Sequence, residues 1–186
     1  MRLFVALELS SPVRAALERA VDVAHRRAPK ARWADPQKLH LTLAFLGETE
    51  EEKVPALKEA LTRAASRHRR LSLVARGGGG FGASRHPRVL WIGVEGELPA
   101  LTALQADLIR ELVPLGFTPE KRPFRPHLTL ARAKNPRGDP QLAACVAALE
   151  HFDGGEWPVR KLVLFQSQLS PKGARYTQLF AAPLAR

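Results

Sequence analysis

Lys38-Leu39-His40-Leu41-Thr42-Leu43-Ala44-Phe45-Leu46-Gly47 contains a core that returns as Pro126-His127-Leu128-Thr129-Leu130-Ala131-Arg132. The tetrapeptide His-Leu-Thr-Leu thus occurs twice, 87 residues apart. Each copy is a short run of strand-favouring residues, bounded by Pro or Lys before it and by Gly or a charge after it, and reads as a β-strand. Side chains alternate across a strand, so His40 and Thr42 share one face while Leu41 and Leu43 take the other. His127 and Thr129 repeat the pattern against Leu128 and Leu130. Each strand buries leucines on one side and offers an imidazole and a hydroxyl on the other.

The repeat extends beyond the motif. Leu90-Trp91-Ile92-Gly93-Val94-Glu95 matches Leu3-Phe4-Val5-Ala6-Leu7-Glu8 at the same offset. After the first of these strands, Ser11-Pro12 opens a helix with Val13, Leu17, Ala20, Val21 and Ala24 on one face. Thr49 and Glu52 stand at capping-box spacing before a second helix, and Leu71 to Ala75 follows as a strand. In the second half a helix carries Leu101, Leu104, Leu108 and Leu112, and Asp139-Pro140 starts another. Two last strands, Val159 to Gln168 and Tyr176 to Ala182, join through Ser170-Pro171-Lys172-Gly173. The predicted fold is α+β: one domain over 1–186, built of two pseudo-symmetric lobes with repeat halves of about 1–80 and 88–186. Its two antiparallel-rich sheets face a central cleft, with helices outside, and the motif strands meet across that cleft.

A chain of 186 residues with 45% apolar and 25% charged residues is an ordinary globular composition. It has no apolar run long enough for a membrane span. Cys145 is its single cysteine, which excludes an internal disulfide and fits a reducing cytoplasm. The net charge of +11 attracts polyanions, and its arginine content suits phosphate; a merely solvated basic surface is the alternative.

Two facing imidazoles suit general acid–base catalysis, because each titrates near neutral pH. One takes a proton from an attacking hydroxyl or water while the other protonates the leaving oxygen. The threonine hydroxyls are placed to bind non-bridging phosphate oxygens, and cations stabilise the added charge. Phosphodiester cleavage uses all of these parts. A zinc site wants three or four ligands, and no acidic residue or cysteine adjoins either motif, so no metal and no cofactor are expected.

The duplicated His-x-Thr-x motif, with Arg-Leu-Phe-Val-Ala-Leu at the start and Phe-Arg-Pro-His-Leu-Thr-Leu-Ala-Arg in the second half, resembles the two-histidine phosphoesterases. Within them the chain is most similar to the LigT-like RNA 2′,3′-cyclic phosphodiesterases, first described as 2′–5′ RNA ligases. The resemblance implies a bilobal fold and metal-independent hydrolysis of RNA 2′,3′-cyclic ends, or of small cyclic nucleotides, to 2′-phosphomonoesters. It also implies that ligation is the reverse reaction of the same site. By the family's usual assignment His40 is the proton donor and His127 the acceptor. Thr42 and Thr129 match the phosphate-binding threonines, and Arg132 matches an arginine after the second motif. Simple alternation puts Arg132 on the wrong face unless the strand ends or bulges before it. A non-catalytic RNA- or nucleotide-binding scaffold is the rival reading.

Phe124 and Arg125, in Lys121-Arg122-Pro123-Phe124-Arg125-Pro126, are weaker RNA-contact candidates, the alternative being an ordinary solvated loop. Gly77-Gly78-Gly79-Gly80 lacks the Lys-Ser/Thr ending of a phosphate-binding loop and reads as a flexible connection, with a cleft rim as the functional option. Nothing in the chain calls for a protein partner or an obligate oligomer, and a monomer is expected.

Overall fold

Leu3 to Leu7 form the fully buried part of β1 (Arg2–Leu7) in a computed structural model that describes residues 1–186. α1 (Ser11–His25), β2 (Arg32–Trp33), β3 (Leu41–Glu48), α2 (Val54–Ser66) and β4 (Leu71–Ala83) complete the first half. β5 (His86–Gly96), α3 (Leu98–Leu112), β6 (His127–Arg132), α4 (Pro140–Ala148), β7 (Asp153–Val159), β8 (Lys161–Ser170) and β9 (Gly173–Pro183) follow. The strands make two antiparallel sheets, β3-β1-β8-β9 and β2-β6-β5-β4-β7, as the α+β reading expects. β3 and β6 lie in different sheets, yet their Cα atoms approach within 8 Å. No helix is long and apolar enough to cross a membrane.

The sheets do not divide along the sequence repeat. β2 and β4 of the first half sit in the sheet of the second motif, and β8 and β9 complete the sheet of the first. The helices exchange as well. α1 packs on β7 and α4, whereas α3 packs on α2 and reaches β3. Arg63 and Arg67 of the first half grip Glu111 of α3 at 2.7 and 2.6 Å, and His68 meets Asp107 at 2.6 Å. One cluster of 42 buried residues runs through both sheets. With the strands interleaved, neither half can close its own core. Cutting the chain at the β4–β5 turn is therefore expected to leave both pieces unfolded, while the intact chain unfolds in one transition. Two separated midpoints in urea, by far-UV dichroism and tryptophan fluorescence, would contradict this.

Three expectations change. The glycine run is not a flexible connection: β4 continues through it to Ala83 and pairs with β5 as far as His86. Glycine is needed there because the Trp91 indole lies across the strand, and a Cβ on Gly79 would stand 2.1 Å from that ring. The strand expected from Val159 begins at Lys161 instead, and Val159 ends a separate strand, β7, whose Gly154, Gly155 and Pro158 obscure its pattern. β7 is a sheet edge, where a proline costs no ladder bond and a left-handed glycine (Gly155, φ 86°) is tolerated. The Thr49–Glu52 capping box does not form either. The Thr49 hydroxyl donates to Gly47 O at 3.2 Å, a 3-10 turn (Glu51–Lys53) intervenes, and Pro55 sits harmlessly in the first turn of α2.

Candidate active site

Both motif histidines stand at the entry of their strands and are held in the same way. His40 Nδ1 lies 2.8 Å from Lys38 O, and His127 Nδ1 lies 2.6 Å from Arg125 O. A carbonyl only accepts, so each Nδ1 carries the hydrogen and each neutral ring keeps its Nε2 lone pair free. The Lys38 carbonyl is fixed by a short 3-10 turn (Pro36–Lys38), capped by Asp35 Oδ1 accepting from Gln37 N–H at 3.0 Å. Arg14 of α1 donates to Pro36 O at 2.9 Å and Leu39 O at 3.1 Å, bracing the same segment.

Aromatic rings wall both sites. His40 stacks on Phe4 with centroids 4.7 Å apart, and Tyr176 meets it edge-on at 5.3 Å, with Phe165 at 6.2 Å. Phe81 meets His127 edge-on at 4.8 Å, and Trp91 stands 6.5 Å away. Phe4 and Trp91 occupy equivalent places in the repeat. Their pairings nevertheless differ by two residues: Thr42 lies opposite Ala6, but Thr129 lies opposite Trp91. An even shift keeps the same faces toward the cleft while changing which ring touches which histidine. Sequence reasoning missed all five aromatics. The one available signal was that both repeat positions, Phe4 and Trp91, are aromatic; Phe81, Phe165 and Tyr176 arrive only through sheet pairing.

Thr42 and Thr129 are half-buried, and neither hydroxyl has a protein partner. The Arg132 parity question is answered by a bulge. Trp91 pairs with Thr129 and Leu90 with Ala131, which leaves Leu130 as an extra residue. Leu130 and Ala131 both turn inward, and Arg132 emerges on the face of His127 and Thr129. β3 has the matching irregularity, burying Leu43 and Ala44 and presenting Phe45, 64% exposed, on the face of Thr42. Phe45 opens onto a surface depression of about 410 Å³ shared with Thr49, Lys53, Phe117 and Thr118, which includes neither histidine. Arg125 is exposed and lends its backbone to His127, while Phe124 is half-buried against the core. Nowhere do three His, Cys, Asp or Glu side chains converge as a metal-ligand set.

Burial holds the His40 imidazole below its usual pKa range; the Lys38 carbonyl partly opposes this, and the Arg14 charge adds to it. The sign follows by linkage. As pH falls through the ordinary imidazole range, the unfolded chain binds this proton before the folded one does. Stability from this group is therefore full above that range and declines on acidification until the folded pKa is passed. The urea midpoint of His40→Gln should fall less between pH 7.5 and 5 than that of the unsubstituted chain. Parallel decline of the two would show that His40 is not the responsible group.

Two His-x-Thr strands from duplicated halves, lying in different sheets that approach each other, are the pattern of the two-histidine phosphoesterases. It belongs to the 2′-5′ RNA ligase superfamily, whose sequence profile matches residues 11–170. A relative from Archaeoglobus fulgidus, named RNA 2′,3′-cyclic phosphodiesterase, is 37% identical over 96% of this chain and 98% of its own length. Another of that name, from Methanothermobacter thermautotrophicus, is 32% identical over 96% of both chains. Among solved structures, one from Thermus thermophilus superposes with a TM-score of 0.82 at 34% identity, covering 99% and 98% of the two chains. E. coli LigT complexed with 3′-AMP gives a TM-score of 0.76 at 29% identity, covering 100% and 98%.

Proposed function

We propose that this chain hydrolyses the 2′,3′-cyclic phosphodiester at an RNA end to a 2′-phosphomonoester, with His40 and His127 as the acid–base pair. The observation that carries the reading is the matched Nδ1–carbonyl bond at both histidines, which leaves two Nε2 atoms free for proton transfer. The names of the relatives point to the same reaction. Water attacks phosphorus and gives its proton to neutral His127 as the P–O3′ bond breaks. Protonated His40 delivers its proton to O3′, leaving the phosphate on O2′. Thr42 and Thr129 donate to the non-bridging oxygens, and Arg132 balances the charge added in the transition state. Arg125 and Phe124 are secondary candidates at the entry to His127.

Donor duty requires a charged imidazole where burial favours the neutral one. The substrate's own phosphate, an anion beside the ring, supplies the opposing effect. With a 5′-hydroxyl in place of water, the same groups would form a 2′–5′ linkage, which is the ligation reading. The single buried Cys145 suits a reducing cytoplasm, and no feature of the site requires a second subunit.

The test is an oligoribonucleotide ending in 2′,3′-cyclic phosphate, with the product identified as the 2′- or 3′-phosphate. Turnover is expected to persist in excess EDTA, because proton transfer through two imidazoles uses no metal. Dependence on one divalent ion would overturn the mechanism. Tight binding of the same RNA without turnover would establish the scaffold reading instead.

A further inference from the structure

Arg32 carries a consequence for the length of the substrate. It is one of two residues in β2, the shortest strand of the fold, and it lies directly opposite Arg132. Opposed residues in an antiparallel pair share a face, with Cβ atoms roughly 5 Å apart. The bulge at Leu130 turns Arg132 toward the face of His127 and Thr129, and Arg32 therefore faces the same way. Both side chains are exposed, and neither has a carboxylate partner. Only Arg63, Arg67, Arg76 and Arg110 have carboxylate partners, so what sets Arg32 and Arg132 apart is their direct opposition across a strand pair. Like charges set directly opposite one another are destabilising unless an anion sits between them.

The segment is also anchored. Trp33 Nε1–H donates to Ala28 O at 2.8 Å, and Ala34 N–H donates to Leu130 O at 2.8 Å. These bonds fix Trp33 and Ala34, both packed against the core, and so hold the short β2–β6 pair in which Arg32 opposes Arg132. Arg132 is the inner of the two guanidinium groups, on the motif strand. Arg32 is the outer one, a strand further from His127.

We propose that Arg32 binds the internucleotide phosphodiester next to the cyclic end, so that the chain selects RNA over cyclic mononucleotides. The inference rests on the cyclic phosphodiesterase reading above. Guanidinium forks fit phosphate oxygens two at a time, and a charged hydrogen bond of this kind corresponds to roughly 10- to 100-fold in affinity. Arg32 takes no part in proton transfer; it positions the nucleotide chain.

The test compares three substrates: a nucleoside 2′,3′-cyclic phosphate, a dinucleotide ending in the same group, and that dinucleotide with an uncharged methylphosphonate link. In the unsubstituted chain the dinucleotide should have the higher kcat/KM, and the neutral link should abolish most of the advantage. Arg32→Gln should lower kcat/KM for the charged dinucleotide about 10- to 100-fold more than for the other two. Arg32→Lys, keeping charge without the fork, should fall between. Equal loss on all three substrates, or no loss on any, overturns the assignment. Turnover of the mononucleotide by the unsubstituted chain verifies the underlying reaction independently; inactivity on all three overturns that reading and this one with it.

Discussion

Removing either motif imidazole is expected to lower kcat on RNA 2′,3′-cyclic phosphate by about 10²–10⁴-fold, the usual contribution of one acid–base group. Binding of the RNA should change far less in His40→Ala and His127→Ala, because the basic surface supplies it and salt weakens it. The two variants should then part company on a substrate whose leaving group needs no proton. His40→Ala, lacking the donor, is rescued; His127→Ala, lacking the acceptor, stays slow. The reverse pattern would exchange the roles, and equal rescue of both would argue against separate acid and base. Near-normal turnover in both variants would sink the paired mechanism.

The second large effect comes from a residue with no side chain. Gly79→Val should destabilise the protein by about 3 kcal/mol, at the upper end of overpacking costs, because any Cβ there meets the Trp91 ring at 2.1 Å. Trp91 cannot yield without disturbing its neighbours. Phe81 lies 5.5 Å from its ring, and Phe81 in turn sets the edge of His127. The folded fraction of the variant should therefore also lose activity on cyclic phosphate, measurable after correction for the unfolded population. A variant with an unchanged urea midpoint would show that the indole does not need the space. Normal kcat in a destabilised variant would separate Trp91 and Phe81 from the geometry of His127.

The duplicated motif, the alternation along each motif strand and the α+β class were legible in the chain alone. They rest on local periodicity: leucines and a polar pair at spacing two, and helical faces such as Val13, Leu17, Ala20 and Ala24. One cap-plus-proline start is equally local, Asp139 accepting from Gln141 N–H at 2.8 Å, whereas Ser11 is already helical and the preceding Ser10 makes no side-chain cap bond. Where a side chain's role depends on a partner far along the chain, local pattern stops informing. The glycine run reads as a connection until Trp91 is laid across it. Arg132 reads as misplaced until the β5 partner leaves Leu130 unpaired. Phe81, Phe165 and Tyr176 have no motif, and they reach the histidines only because antiparallel pairing carries residues from distant segments onto one face. The exchange of strands and helices between halves is of the same kind. Equal repeats in sequence admit either separate or interleaved cores, and packing decides between them by where the apolar faces of α1 and α3 are buried.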